Sequence, residues 1–181
     1  MIIGITGALG AGKGTVAAYL TKNKNFVYLS VRNFLAAEVL KQGKMVSREA
    51  IAKIAADFKA AHGTEYIMQE LVNQTAHEKH SVVIESLRAP AEADFLKARG
   101  AKIWAIDTDA KVRYGRLMES KKDAERISFE QFIKNEETEL GGALAADSLL
   151  GAIQKADAVI TNNGTKDELF AHIDVALQQL V

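Results

Sequence analysis

The stretch Gly7-Ala8-Leu9-Gly10-Ala11-Gly12-Lys13-Gly14-Thr15 decides how this chain is read. It follows the apolar run IIGIT at Ile2–Thr6 and leads into a segment of helical character. Glycines at this spacing let the backbone curl so that successive N–H groups point at phosphate oxygens, and the helix that follows adds its positive end. Lys13 supplies a cation for the β- and γ-phosphates of ATP. A plain glycine-rich turn with a surface lysine would need neither the Gly-x-x-x-x-Gly-Lys spacing, nor the strand before it, nor the helix after it. Gly7, Gly10, Ala11, Gly12, Lys13, Gly14 and Thr15 are therefore the candidate residues for binding a nucleotide.

Working outward from the loop, four more apolar runs recur with helical stretches between them. They are residues 26–30 (FVYLS), 81–85 (SVVIE), Lys102–Asp107 (KIWAID) and Ala158–Thr161 (AVIT). The runs are continuous rather than alternating, which suits strands buried on both faces of a parallel sheet. Between them, Ile51, Ile54, Ala55 and Phe58 share one helix face, as do Leu169, Ile173, Leu177 and Leu180. Thr165 with Glu168, and Ser128 with Gln131, have the spacing of capping boxes. The single proline, Pro90, suits the first turn of a helix after the third strand. This order of elements predicts an α/β fold over residues 1–181, with about five parallel strands and helices on both faces.

The bulk composition narrows the function. The 181 residues carry no formal net charge, so nothing in the overall charge balance argues for a nucleic-acid or membrane partner. The absence of cysteine removes disulfides, thiolate zinc sites and thiol nucleophiles. Glycine-rich sequence begins by Gly7, which leaves no room for a signal peptide, and a cytoplasmic location is expected. His77 and His80 lack an evident third ligand, His62 and His172 are isolated, and Trp104 reads as core.

Three further groups of residues carry chemistry. The run at 82–85 ends in Glu85, and Arg88 follows three residues later, at a strand end where ligands of open α/β sheets gather. Glu85 can orient Mg²⁺ or its waters, and the fork of Arg88 can grip a phosphate. Arg32 follows the second run, and with Arg48 it is a candidate for a phosphate acceptor. Arg113 and Arg116 share a helix face after the fourth run, with Lys121, Lys122 and Arg126 beyond them. Such cations suit a closing lid in phosphoryl transfer. At the C-terminal end, Asn163 and Gly164 form a turn able to approach a base edge.

The Gly-Lys-Gly-Thr ending at residues 12–15 resembles adenylate kinases and other nucleoside monophosphate kinases. The resemblance implies that Thr15 contacts ATP phosphates and that magnesium is held largely through water and an acidic residue. The segment Glu85-Ser86-Leu87-Arg88 is similar to the Asp-Gly-hydrophobic-Pro-Arg stretch of that family. It has glutamate for aspartate, serine for glycine, and no proline. The resemblance gives Glu85 to the magnesium site, Arg88 to the acceptor phosphate, residues 31–80 to an acceptor-binding helical insertion, and residues 118–127 to a short lid, with Arg116 just before it and Arg126 within it closing over the transferring group. The stretch at 156–164 resembles instead the Ala-Asp-hydrophobic-Asn-x-Gly segment of dephospho-coenzyme A kinases, where the loop lies beside adenine.

The sequence thus implies a P-loop kinase that moves the γ-phosphate of MgATP to a small acceptor. A (deoxy)nucleoside monophosphate is the leading acceptor and dephospho-coenzyme A the alternative. A non-catalytic ATP-binding regulatory module is the alternative of another class. Lys13, Arg88, Arg116 and Arg126 are the expected catalytic residues, Arg32 and Arg88 the acceptor contacts, and Thr15 and Glu85 the metal contacts.

Overall fold

The computed structural model describes residues 1–75, 79–119, 126–140 and 148–180. Its strands are β1 (Ile2–Thr6), β2 (Val27–Ser30), β3 (Val82–Glu85), β4 (Lys102–Asp107) and β5 (Ala158–Thr161). The helices among the described residues are α1 (Lys13–Lys24), α2 (Val31–Lys41), α3 (Arg48–His62), α4 (Tyr66–Gln74), α5 (Pro90–Lys97), α6 (Ala110–Glu119), α7 (Phe129–Leu140), α8 (Leu149–Gln154) and α9 (Lys166–Gln178). Residues 120–125 of the expected lid, with Lys121 and Lys122, and also His77, lie outside the described residues.

All five strands are parallel, in the order β2-β3-β1-β4-β5. The continuous apolar runs are explained by two cores, one on each face. Ile3, Ile5, Val83, Trp104 and Ile106 pack with α1 and α9. Val82, Ile84 and Ile103 pack with α2 to α5 on the other side. Gly4 faces that second core, where a Cβ would lie 2.9 Å from Ile103 and 3.1 Å from Leu96. Burial on both faces selects apolar side chains along the central strands β1, β3 and β4.

Local signals behave as their chemistry dictates. Thr165 and Glu168 form a capping box on α9, Ser128 Oγ accepts from the N–H of Gln131 at 3.1 Å, and Pro90 opens α5. Ile54 is buried, with Ile51, Ala55 and Phe58 packed against the same core.

The strand order positions the site. After β1 the chain runs through α1 to the β2 edge, and after β3 it runs through α5 to β4 on the far side of β1. The connections leave neighbouring strands in opposite directions, so a crevice opens beyond the carboxyl ends of β1 and β3.

Candidate active site

The phosphate loop is shaped by backbone that only glycine adopts comfortably. Gly7 has φ 141°, and a Cβ there would lie 2.6 Å from the carbonyl oxygen of Ile106. Gly12, with φ 96°, is the N-cap of α1, and a Cβ there would meet Asn162 Nδ2 at 2.2 Å. The N–H groups of Thr15 and Val16 return to the Gly12 carbonyl at 2.9 and 3.1 Å. No side chain caps α1 and its own first turn holds no acid, so the positive end of the helix faces the loop without a carboxylate of its own to neutralise it. Lys13 curls back over the loop and donates to the carbonyls of Gly7 at 2.7 Å and Ala8 at 2.9 Å.

The loop is braced from the ends of β4 and β5. The Ala11 carbonyl accepts from Thr108 Oγ1 at 3.0 Å and from Asn162 Nδ2 at 2.7 Å, and both side chains are buried. Arg113 completes the brace. Its Nε donates to the Thr108 carbonyl at 2.8 Å, its Nη1 to the Leu9 carbonyl at 3.3 Å, and both terminal nitrogens pair with the carboxylate of Glu136 on α7. Arg113 is thereby removed from the set of lid cations suggested by its spacing from Arg116. It is 5% exposed and its hydrogen bonds face inward. Sequence reasoning missed Thr108, Asn162 and Glu136. Asn162 stands beside Asn163, the turn residue that the sequence singles out, and the other two carry no local signal.

Arg116 takes a different direction on the same helix. Its guanidinium donates to the carbonyls of Asn162 at 3.0 Å and Gly164 at 3.3 Å. Asn163 Oδ1 accepts from the N–H of Asp109 at 2.7 Å. The turn after β5 is therefore tied to α6 and to the end of β4. A cavity of about 360 Å³ opens there, lined by Thr161, Asn163, Gly164, Leu169 and His172 among others.

The end of β3 holds the second cluster. Glu85 pairs with Ile5 of β1 and Ser30 of β2. Tyr28 Oη donates to Glu85 Oε2 at 2.5 Å. Burial first, and then the neighbouring carboxylate, push the Tyr28 phenol above its ordinary pKa, so it keeps the proton it donates. Glu85 Oε1 lies 3.8 Å from where a Cβ on Gly14 would stand. Ser86 has φ 81°, in the left-handed region that non-glycine residues seldom occupy. The N–H groups of Ser86 and Leu87 both reach the Ile5 carbonyl at 3.1 Å, and Thr6 Oγ1 donates to the Leu87 carbonyl at 2.9 Å.

Beyond that turn Arg88 is exposed. Its backbone N–H is held at 2.6 Å by Glu92 Oε2, which also accepts from Ala89 at 3.1 Å. Burial pushes the Glu92 carboxyl above its usual range, opposed by those two bonds. Arg32 lies in the first turn of α2 and is exposed. Arg126 is exposed and donates to the Met118 carbonyl at 3.1 Å. Arg48 opens α3 and joins Leu9, Leu117, Ile127, Phe132 and Asn135 in lining another cavity of about 360 Å³.

The residues present suit a nucleotide with magnesium. The glycine loop, the start of α1 and Lys13 offer a place for an anion, and side chains at Gly7 or Gly12 would clash with Ile106 and Asn162, which support the loop. Glu85 and Thr15 offer a few oxygens beside it, matching a cation that keeps several of its waters. Among the described residues no group of three or more His, Asp or Glu side chains forms a ready metal cage. No described helix is long and apolar enough to cross a membrane.

Fold and loop together define a P-loop nucleotide-binding protein of kinase-like fold. The chain belongs to the AAA domain family, whose model AAA_18 matches residues 3–141. A relative from Methanococcus vannielii, named UPF0200 protein, is 29% identical over 185 residues, covering 99% of this chain and 96% of its own length. The shikimate kinase of Bacteroides thetaiotaomicron is similar in structure, with a TM-score of 0.64 at 13% identity over 99% of this chain and 98% of that one. The shikimate kinase of Acinetobacter baumannii in complex with shikimate has a TM-score of 0.59 at 17% identity, covering 99% and 92%.

Proposed function

We propose that this chain is an ATP-dependent phosphotransferase that moves the γ-phosphate of MgATP to a small nucleotide-type acceptor, first a (deoxy)nucleoside monophosphate. The observation that carries the reading is the pre-shaped loop of residues 7–15, with Lys13 already folded over it. Phosphate oxygens would replace the Gly7 and Ala8 carbonyls as partners of Lys13, and the loop amides would take the remaining charge. Such donors, fixed before the reaction, stabilise charge that develops during transfer.

In the proposed step an acceptor phosphate oxygen attacks the γ-phosphorus as the bond to the β,γ-bridging oxygen breaks, and ADP leaves. A phosphate nucleophile is already anionic and needs no general base. Magnesium, when bound with ATP, neutralises charge on the β- and γ-oxygens, and Thr15 and Glu85 are the residues proposed to hold it or its waters. Asn163 and Gly164 lie on the donor-base side. Arg116, which reaches that turn from α6, and Arg126 are proposed to supply cations to the migrating group. Arg88 and Arg32 are proposed to hold the acceptor phosphate, with α2 to α4, in the span 31–80, as the acceptor-binding insertion. Residues 118–127 are proposed as the lid. An enzyme drawing on the ATP pool is proposed to act in the cytoplasm.

Dephospho-coenzyme A is kept as a second acceptor on one observation. The C-terminal stretch similar to dephospho-coenzyme A kinases is wired into the phosphate loop by the bond from Asn162 to Ala11. A coupled ADP-release assay tests both, run across nucleoside monophosphates, their deoxy forms, dephospho-coenzyme A and shikimate. Release stimulated by a monophosphate supports the first reading, and stimulation by dephospho-coenzyme A alone supports the second. ATP binding without acceptor-dependent release would leave a regulatory nucleotide-binding module.

A further inference from the structure

We infer that Tyr28 is a positioning residue for the metal side of the donor site, holding the Glu85 carboxylate over Gly14. Phosphate loops of the commoner form carry a serine or threonine directly after the lysine, and its hydroxyl binds Mg²⁺. Here that position is Gly14, which has no side chain to offer. The nearest heavy atom to a Cβ built on Gly14 is Glu85 Oε1, at 3.8 Å. The carboxylate therefore stands in ordinary contact distance of the place where the missing side chain would begin.

Tyr28 accounts for that placement. It pairs with Val83, two residues before Glu85 on β3, so both side chains rise from the same face of the sheet. A long aromatic side chain spans such a diagonal. The phenol hydroxyl takes Glu85 Oε2 at 2.5 Å, and the other oxygen is the one beside Gly14. The two oxygens are thus divided, one to the tyrosine and one to the loop.

The backbone beneath them is equally constrained. Glu85 is registered against Ile5 and Ser30, and Ser86 turns the chain immediately after it at φ 81°. Glutamate has one more rotatable bond than aspartate, and the phenol removes that freedom before ligand arrives. Partners that orient a metal-binding carboxylate typically change metal affinity by about 10- to 100-fold.

The inference rests on the donor-site reading, so the experiment separates the two. Mn²⁺ is titrated into the full chain with saturating ATP and followed by the electron paramagnetic resonance of free Mn²⁺. ATP affinity without metal and the melting temperature are measured beside it. Tyr28→Phe is expected to weaken Mn²⁺ binding about 10- to 100-fold, with metal-free ATP affinity and melting unchanged. Glu85→Gln should weaken Mn²⁺ at least as much, and the double variant no more than Glu85→Gln alone. If Tyr28→Phe binds Mn²⁺ within about threefold of wild type, well inside the usual effect of an orienting partner, while Glu85→Gln does not, Tyr28 has no positioning role and the donor-site reading stands. If Tyr28→Phe and Glu85→Gln have additive effects, the tyrosine does not act through the carboxylate. Failure of wild type to bind ATP at all would overturn both the inference and the reading beneath it.

Discussion

Ala11 and Arg88 belong to the two sides of one proposed cleft and are held in opposite ways. The Ala11 carbonyl is gripped by two buried side chains from β4 and β5, and its loop is tied through Leu9 to the Arg113–Glu136 pair. Arg88 is fixed through its backbone by Glu92, while its side chain is exposed, as are those of Arg32 and Arg48. The donor side is built from backbone groups whose positions are settled before any ligand arrives. The proposed acceptor side would rely on long cationic side chains set on a firm backbone. Preorganised donors serve a phosphate common to every reaction of this kind, whereas exposed arginines leave room for the acceptor to be selected.

The comparison breaks most completely if the donor brace is removed. Arg113→Met deletes the partner of Glu136 and leaves the Leu9 and Thr108 carbonyls without that donor. Removing one member of a buried ion pair costs about 3–5 kcal/mol, so denaturant unfolding should show a loss of that order, with ATP affinity falling alongside. A variant as stable as wild type would mean that the brace contributes nothing to the loop.

A smaller effect, confined to the acceptor side, is expected from Arg88→Lys. Lysine keeps the charge but cannot reproduce two parallel hydrogen bonds to a phosphate. Misplacement of the acceptor by about 1 Å costs roughly 10² in rate. The loss should appear in kcat/KM for the acceptor, with the ATP dissociation constant nearly unchanged. Loss of ATP affinity with intact acceptor kinetics would move Arg88 to the donor side.

The smallest effect sharpens the comparison by lying outside the cleft. Asp157, at the entry to β5, accepts from the N–H of Ile103 at 2.7 Å and pairs with Lys97 at 2.9 Å. Burial alone would raise its pKa, but these bonds together outweigh it and hold the carboxyl below the usual aspartate range. A depressed folded-state pKa gives stability that is present above the unfolded value and lost as pH falls through the folded one. Thermal melts should therefore show Asp157→Asn less stable than wild type near neutral pH, with the gap closing below about pH 4, the unperturbed aspartate value. Its transfer kinetics should match wild type. A gap that persists unchanged in acid would mean that the carboxylate charge is not what stabilises the site.

Much of this architecture was legible because the sheet is buried on both sides. Continuous apolar runs marked all five strands, and only the first residues of two runs fell outside them. Phe26 is core but precedes β2, and Ser81 precedes β3 while its carbonyl accepts from Val27. The phosphate loop was legible because its glycines, lysine and flanking elements are contiguous. The strand order was not, since nothing local distinguishes one parallel neighbour from another. Nor was α8, whose six residues are too few to show a period. Thr108 and Asn162 bond a residue 97 and 151 positions away, a relation that only the folded sheet creates. Arg113 was read from the surface of its own helix, and the packing of α7 against that helix determines its role.

The central claim is that residues 7–15 hold the phosphates of a donor nucleotide for transfer. The rate of γ-phosphate transfer by Lys13→Ala relative to wild type, on protein whose melting temperature is unchanged, tests it most directly. The account predicts a fall of at least about 10²–10³, the usual consequence of losing one transition-state donor. A variant that transfers phosphate within about tenfold of wild type, well short of that usual loss, would contradict the assignment of the loop.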